Sequence, residues 1–389
     1  MKLKVLRHLV LIVAALSHGE ALAQAQIKTP AKQAILIDHT TGTVLFEQNA
    51  EQSMAPSSMS KLMTLYMLFS QLTAGDLSME DTFPVSKKAW RMGGSKMFVN
   101  VNTQVKISDL TRGIIVQSGN DACIVVAEGI SGDEESFAAQ RNESVRKIGL
   151  LDSHFVNSSG WPHPEHFTTA KDLSILIRLL VDKFPNLYQM FSERSFTYSK
   201  IRQGNRNPLL YKNIGADGLK TGYTRAAGYG LAASAIRDGR RLHLVVNGLK
   251  SVNQRSRESQ RLLSWGFRAF GNYTLFEAGE KVSDADVWLG NEGTVPLLIQ
   301  KPLTITIPRR SRRTMKVSVN YLGPLPAPIV NGQQIATLRI EAPNIGTIER
   351  PLVAGADVAR KGFFGRLSEA VSYTHLRAHE TEADLVCRL

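Results

Sequence analysis

Ser58 and Lys61 stand three residues apart in Pro56-Ser57-Ser58-Met59-Ser60-Lys61, directly before the apolar run 62–69. A helix starting here puts both side chains on one face, one turn apart. The serine then lies among free backbone N–H groups and the positive end of the helix dipole, which favours a developing alkoxide. A lysine one turn deeper is desolvated. Burial lowers its pKa and makes a neutral, proton-accepting amine available. That is the layout of a nucleophile and its base. Pro56 precedes the helix, and Ser57 or Ser58 is expected to cap it. The spacing alone has little specificity, because Ser144-Val145-Arg146-Lys147 repeats it on a charged helix face.

Two further motifs add context. Ser118-x-Asn120 lies in Gln117-Ser118-Gly119-Asn120-Asp121, a turn between two predicted helices from which side chains can project into a cleft. Ser251-Val252-Asn253 and Ser318-Val319-Asn320 share the pattern but fall in or beside predicted strands. Lys220-Thr221-Gly222 has no second match and sits on a short strand with glycines near both ends. In this order, the three motifs resemble the signature of penicillin-binding proteins and serine β-lactamases.

The elements that must position these residues follow from periodicity. Strands are predicted at 34–38 and 44–47, joined by the turn 40–43. The Ser58 helix is apolar nearly all round, so it should run through the middle of a domain. Residues 90–95, with Gly93-Gly94, read as a flexible loop. A short helix within 105–116, an apolar helix at 122–129 and an amphipathic charged one at 133–150 come next. Asn157-Ser158-Ser159-Gly160-Trp161-Pro162 is dense in turn signals. Thr168 or Thr169 should cap a helix at 170–180. Strands at 218–223, 228–235 and 241–246 precede a helix at 256–270 with inward Leu262, Leu263, Gly266, Phe267 and Phe270. The pattern predicts an α/β (α+β) domain, an antiparallel sheet with strands from both chain ends and a helical cluster packed on it, spanning 24–272. Residues 273–357, rich in Val, Ile, Thr, Pro and Gly, should form a small all-β, sandwich-like domain. In that part Arg309, Arg310, Arg312 and Arg313 crowd one turn, read as a solvated loop.

Both ends of the 389-residue chain call for trimming. Lys2, Lys4 and Arg7, the apolar stretch 9–16 and Ala21-Leu22-Ala23 form a signal peptide over 1–23. Residues 371–389 look like a translated sequencing adapter and are set aside from fold reasoning, which implies that the native C-terminus is missing. Residues 358–370, with Lys361-Gly362-Phe363-Phe364-Gly365-Arg366-Leu367, resemble the start of an interfacial amphipathic helix. The formal charge of +13 loses two with the leader and regains one with the tail, leaving +12. A basic exported protein is matched to anionic wall polymer, membrane phosphate or carboxylate substrates, and nucleic acid is excluded as a partner. Cys123 is then the one cysteine left, read as a small buried hydrophobe with no disulfide. No His/Cys/Asp/Glu cluster has metal-ligand spacing, and no metal or cofactor is expected.

With these stretches on the page, the chain resembles low-molecular-mass penicillin-binding proteins of the D-alanyl-D-alanine carboxypeptidase family. The resemblance runs from Gln33 to Leu367 and includes residues 34–38, 117–123, Asn205-Arg206-Asn207, 217–222, 258–267 and Phe363-Phe364-Gly365. It implies an acyl-enzyme on Ser58, Lys61 as proton acceptor, and Ser118 relaying the proton to the departing D-alanine. It implies that Asn120 holds Lys61 and the substrate amide, and that Lys220 lowers the pKa of Lys61 further. The strand around Lys220 and Thr221 would take the substrate as an added strand, with Gly222 leaving room. The N–H groups of Ser58 and Tyr223 would form the oxyanion hole. Thr221 and Arg255, with Arg206 in the same role, would bind the terminal carboxylate. Expected partners are peptidoglycan stem peptides and β-lactams. The expected location is the periplasm, at the outer face of the cytoplasmic membrane, with peripheral membrane association of the native C-terminus and a part in wall remodelling and cell shape. The alternatives are a cross-link endopeptidase, a serine β-lactamase and a non-catalytic wall-binding scaffold. Against the β-lactamase stands the lack of a Glu-x-x-x-Asn loop, since Glu165 is followed at the fifth position by Thr169.

Overall fold

The computed structural model describes residues 27–342 and 346–363 and the backbone of 379–385. A five-stranded antiparallel sheet runs Val44–Gln48, Gln33–Asp38, Arg240–Leu249, Gly228–Arg237, Ala216–Thr224. A strand from the domain's start thus pairs with one from its far end, as the pattern predicts. Both faces of this sheet are covered, which is why its inner strands are buried almost without alternation. Ile35, Ala232 and Val245 belong to the core of the helical cluster. On the opposite face the helix Val252–Ala269 approaches closely at Gly266, where a Cβ would lie 2.7 Å from Leu36 Cδ2 and 2.9 Å from Leu242 Cδ1.

The centre of the helical cluster is Lys61–Ala74, buried from Lys61 through Phe69 and ended by Gly75 at φ 82°. Its entry differs from expectation. Residues Ser57–Ser60 form a 3-10 turn after Pro56, and neither Ser57 nor Ser58 caps the helix by a side-chain bond. Ser57 Oγ donates instead to Thr224 Oγ1 at 3.3 Å, tying the turn to the sheet edge. Thr169, not Thr168, caps Ala170–Lys183 by accepting Asp172 N at 3.0 Å. The last helix starts earlier than periodicity indicates, with Ser251 capping it, so the polar first turn was hidden from an apolar-spacing argument. It ends at Ala269, and Phe270 opens a strand.

That strand, Phe270–Phe276, pairs antiparallel with Leu303–Pro308. A seven-stranded sheet, ordered Leu325–Pro326, Lys281–Trp288, Thr294–Leu298, Gly346–Ala354, Gln334–Ala342, Lys316–Gly323, His379–Leu385, completes a β-rich C-terminal domain with its own apolar core. Three hydrogen bonds tie it to the first sheet and its turn, and a fourth braces them from within the C-terminal pair. Asn272 Nδ2 donates to Asp38 Oδ1 (3.1 Å), and Arg240 Nη1 to the carbonyl of Phe270 (2.8 Å). Thr306 Oγ1 meets Thr41 Oγ1 (2.5 Å) and donates to Asn272 Oδ1 (2.9 Å). Arg309–Thr314 is a 3-10 turn. The segment set aside as adapter-like is partly in strand form, since the backbone of His379–Leu385 extends the sheet along Lys316–Gly323. The leader and most of the segment beginning at residue 361 lie outside the described residues. Among the described residues no helix is long and apolar enough to cross a membrane.

Candidate active site

The turn, the interhelical corner and the strand converge on one cleft. Lys61 Nζ is its hub. It donates to Ser58 Oγ (3.0 Å), to Asn120 Oδ1 (2.7 Å) and to the carbonyl of Ser159. Lys61 is wholly buried, and burial is the main reason its pKa falls from 10.5 to about 8. Arg206 and Arg141 push the same way. Ser58 itself is only partly buried, so its hydroxyl is open to the cleft. Three hydrogen bonds use all the donors of an ammonium, but a neutral amine keeps the geometry and gains a lone pair.

Ser118 occupies the corner before Asn120–Ser131 at φ 60°. Its Oγ is buried and has no hydrogen-bond partner among the described residues. Asn120 is anchored at its other end by Nδ2 donating to the carbonyl of Gly93 at 2.9 Å. Lys220 is buried on the strand Ala216–Thr224, and its Nζ lies 3.5 Å from the carbonyl of Thr221. Its pKa is lowered well below the usual value, first by burial, then by Lys61 and Arg206. Gly222 meets the nucleophile turn directly. A Cβ there would stand 2.9 Å from the carbonyl oxygen of Pro56 and 3.3 Å from Ser57 Cβ. This contact brings the strand edge at Thr221 and Tyr223 up to Ser58. The Tyr223 ring is 53 % exposed and stacks on Tyr229 at 4.2 Å.

Arg255 and Arg206 complete a cationic group. Arg255 is buried at the start of the helix Val252–Ala269, its guanidinium 5.7 Å from the Tyr229 ring centroid, and its Nε has no partner among the described residues. Burial lowers its pKa to about 10. Arg206 reaches Ser95 Oγ at 2.5 Å, and burial lowers its pKa as well. Neither arginine forms an ion pair with a carboxylate among the described residues. Four cations gathered without acidic partners make a field suited to a carboxylate ligand.

Several supporting residues escape motif reading. Asp121, fully buried, accepts the amides of Met97 (2.9 Å), Phe98 (2.9 Å), Val99 (3.3 Å) and Ala122 (3.0 Å). With the Asn120–Gly93 and Arg206–Ser95 bonds, it fastens the loop predicted to be flexible. Its position in the first turn of a helix is a signal the sequence does carry. Arg141 is completely buried. It donates to the carbonyls of Ser60 (2.9 Å) and Asn157 (2.5 Å), and its guanidinium carbon lies 4.6 Å from the Phe155 ring centroid. Asn157 Oδ1 in turn accepts the amides of Ser159 (3.2 Å), Gly160 (2.8 Å) and Trp161 (3.0 Å). Gly160 has φ 79° and runs so near the nucleophile turn that a Cβ would clash with the carbonyl of Ser57. The loop that supplies the Ser159 carbonyl to Lys61 is therefore built by Asn157, Gly160 and Arg141 together. Of the remaining motif matches, Ser144 and Lys147 sit on the helix Glu134–Lys147, with Lys147 exposed. Glu165 is exposed, and Thr169 is occupied as a cap. Cys123 is buried and unpaired, its thiol pushed up to about 11 by burial. No group of His, Cys, Asp and Glu among the described residues can hold a metal.

The fold is shared with solved penicillin-binding proteins. Penicillin-binding protein 5 from Haemophilus influenzae superposes with a TM-score of 0.76 at 35% identity, covering 86% of this chain and 99% of that one. The D-alanyl-D-alanine carboxypeptidase DacD from Francisella tularensis gives 0.78 at 29% identity, covering 89% and 100%. In sequence, the D-alanyl-D-alanine carboxypeptidase DacC of Escherichia coli is 37% identical over 360 residues, 90% of either chain. A family model described as D-alanyl-D-alanine carboxypeptidase matches residues 20–251, and one described as the C-terminal domain of penicillin-binding protein 5 matches 270–360. The chain belongs to the D-alanyl-D-alanine carboxypeptidase family.

Proposed function

We propose that the protein is a serine-type D-Ala-D-Ala carboxypeptidase that trims peptidoglycan pentapeptides through an ester on Ser58. The single observation that carries this reading is the bond of 3.0 Å from a wholly buried Lys61 to Ser58 Oγ. Ser58 Oγ attacks the carbonyl of the penultimate D-Ala, and its proton passes to neutral Lys61. The amide C–N bond breaks, and the leaving amine takes a proton through Ser118, whose hydroxyl has no competing partner. Water then hydrolyses the ester. The terminal carboxylate is held by Thr221, Arg255 and Arg206. Asn120 fixes Lys61, the N–H groups of Ser58 and Tyr223 receive the oxyanion, and Gly222 lets the strand lie against the turn. β-Lactams would acylate Ser58 by the same steps.

Export to the periplasm is part of the proposal and rests on the basic, apolar and Ala-x-Ala stretches of the leader. Peripheral membrane association through the segment beginning at residue 361 rests on its Phe pair flanked by basic residues. A part in wall remodelling and cell shape follows from the substrate. The domain limits 24–272 and 273–357 are proposed on the two separate apolar cores.

The test is release of D-Ala from a pentapeptide together with mass spectrometry after penicillin treatment. The expected result is hydrolysis unaffected by chelator and an adduct on Ser58 that Ser58→Ala abolishes. An adduct on Ser144, or β-lactam turned over faster than peptide, would overturn the reading.

A further inference from the structure

A cavity of about 440 Å³ opens beside the nucleophile turn. Ser57 and Gly160 line it, together with Met54, Trp161, Phe167, Thr224 and Ala226 among others. Its position along the strand Ala216–Thr224 assigns it to one side of the reaction. Lys220 and Thr221 lie at the cationic end, and Gly222 abuts the turn that carries Ser58. Thr224 and Ala226 lie on the far side of Gly222 from Lys220 and Thr221. A substrate laid along this strand with its terminal carboxylate at Lys220 and Thr221 directs the part upstream of the attacked carbonyl toward the cavity.

The chemistry of the lining then limits what can enter. Among the described residues no Asp, Glu, Lys or Arg lines the cavity. His166 is buried, and burial pushes its pKa to about 3, so it carries no charge near neutrality. An ammonium entering here loses water and finds no carboxylate, whereas an amide or aryl group meets Trp161 and Phe167. We propose that this cavity is an acyl-side subsite selecting an uncharged side chain, an acylated rather than a free amine, at the residue preceding D-Ala-D-Ala. The inference rests on the carboxypeptidase reading and names its substrate class. In wall terms, an acylated side-chain amine is the mark of a stem peptide already joined to a neighbour.

The experiment compares kcat/KM for two acetylated tripeptides ending in Lys-D-Ala-D-Ala, one with the lysine side chain free and one with it acetylated. The acetylated form is expected to be favoured by about tenfold or more. Ala226→Asp, at an exposed rim position, places a carboxylate in the cavity and should cut that ratio by about tenfold. A second reading uses the rate of Ser58 acylation by benzylpenicillin and by ampicillin, which differ by one side-chain ammonium. The same order and the same response to Ala226→Asp are expected. Equal rates within each pair, or ratios that Ala226→Asp leaves unmoved, overturn the subsite. If neither peptide is hydrolysed while both penicillins acylate, the carboxypeptidase reading fails, and the penicillin pair still decides the subsite.

Discussion

Asn120→Asp offers a direct test of the proton-transfer reading, because it changes charge with almost no change of shape. Lys61 Nζ lies 2.7 Å from Asn120 Oδ1 in a buried setting. A carboxylate in contact raises a neighbouring amine's pKa by about 1–3 units. From a starting value of about 8, Lys61 would move to roughly 9–11. The base works only when neutral, so acylation should rise with pH through the Lys61 pKa and level off above it. At pH 7 a group with a pKa of about 8 is neutral in about one molecule in ten, and each further unit removes another factor of ten. The variant should therefore acylate about 10–1,000-fold more slowly at neutral pH and recover at alkaline pH. The lost bond from Nδ2 to Gly93 will lower the plateau too, so the diagnostic is where the limb falls, not its height. The assay is the second-order rate of Ser58 labelling by a fluorescent penicillin across the alkaline range. A limb that stays near 8 while the rate drops equally at every pH would falsify Lys61 as the base.

Arg255→Ala should lower kcat/KM on D-Ala-D-Ala peptides by roughly one to two decades, the worth of a charge-assisted hydrogen bond. Substrates with an amidated end should lose most of that sensitivity, and equal losses on acid and amide would remove Arg255 from carboxylate binding. Asp38 is fully buried and receives Arg240 Nε (2.8 Å), the amides of Thr40 (3.0 Å) and Thr41 (3.1 Å), and Asn272 across the domain junction. Asp38→Ala strands a mostly buried guanidinium and should cost about 3–5 kcal/mol in urea unfolding. A loss below about 1 kcal/mol would show that Arg240 relaxes to solvent.

The chemistry-bearing residues were legible because each needs a fixed spacing on a defined element. Ser58 and Lys61 meet one turn apart, Ser118 and Asn120 flank a helix start, and Lys220 to Gly222 lie on an edge strand. That strands from both ends of the domain share one sheet was legible too, since the apolar runs at 34–38 and within 241–246 both need burial, but the order of the strands came only with the structure. What stayed hidden depends on contacts between distant segments. Nothing local in Asn157 to Gly160 indicates that its backbone will be pressed against Ser57. Arg141 lies on a helix that reads as charged and solvated, yet Phe137, Arg141 and Val145 form a buried stripe at i, i+4 spacing. A strong charge at one position masked that stripe. The capping error at Ser57 has a physical cause as well. The expected cap assumed a regular first turn, and the chain adopts a 3-10 turn whose serine is drawn to Thr224.

Ser118 sets stability and catalysis against each other. It holds a left-handed backbone that favours glycine and buries a hydroxyl with no partner among the described residues. Each feature costs about 1–3 kcal/mol, and Ser118→Gly removes both. That variant should therefore melt later than the parent while losing the proton relay. Thermal ranking of variants would place a crippled enzyme above a working one at this position. A stabilisation programme that scores only melting temperature would steer the protein toward an inert binder of penicillin, and would read each step away from function as progress.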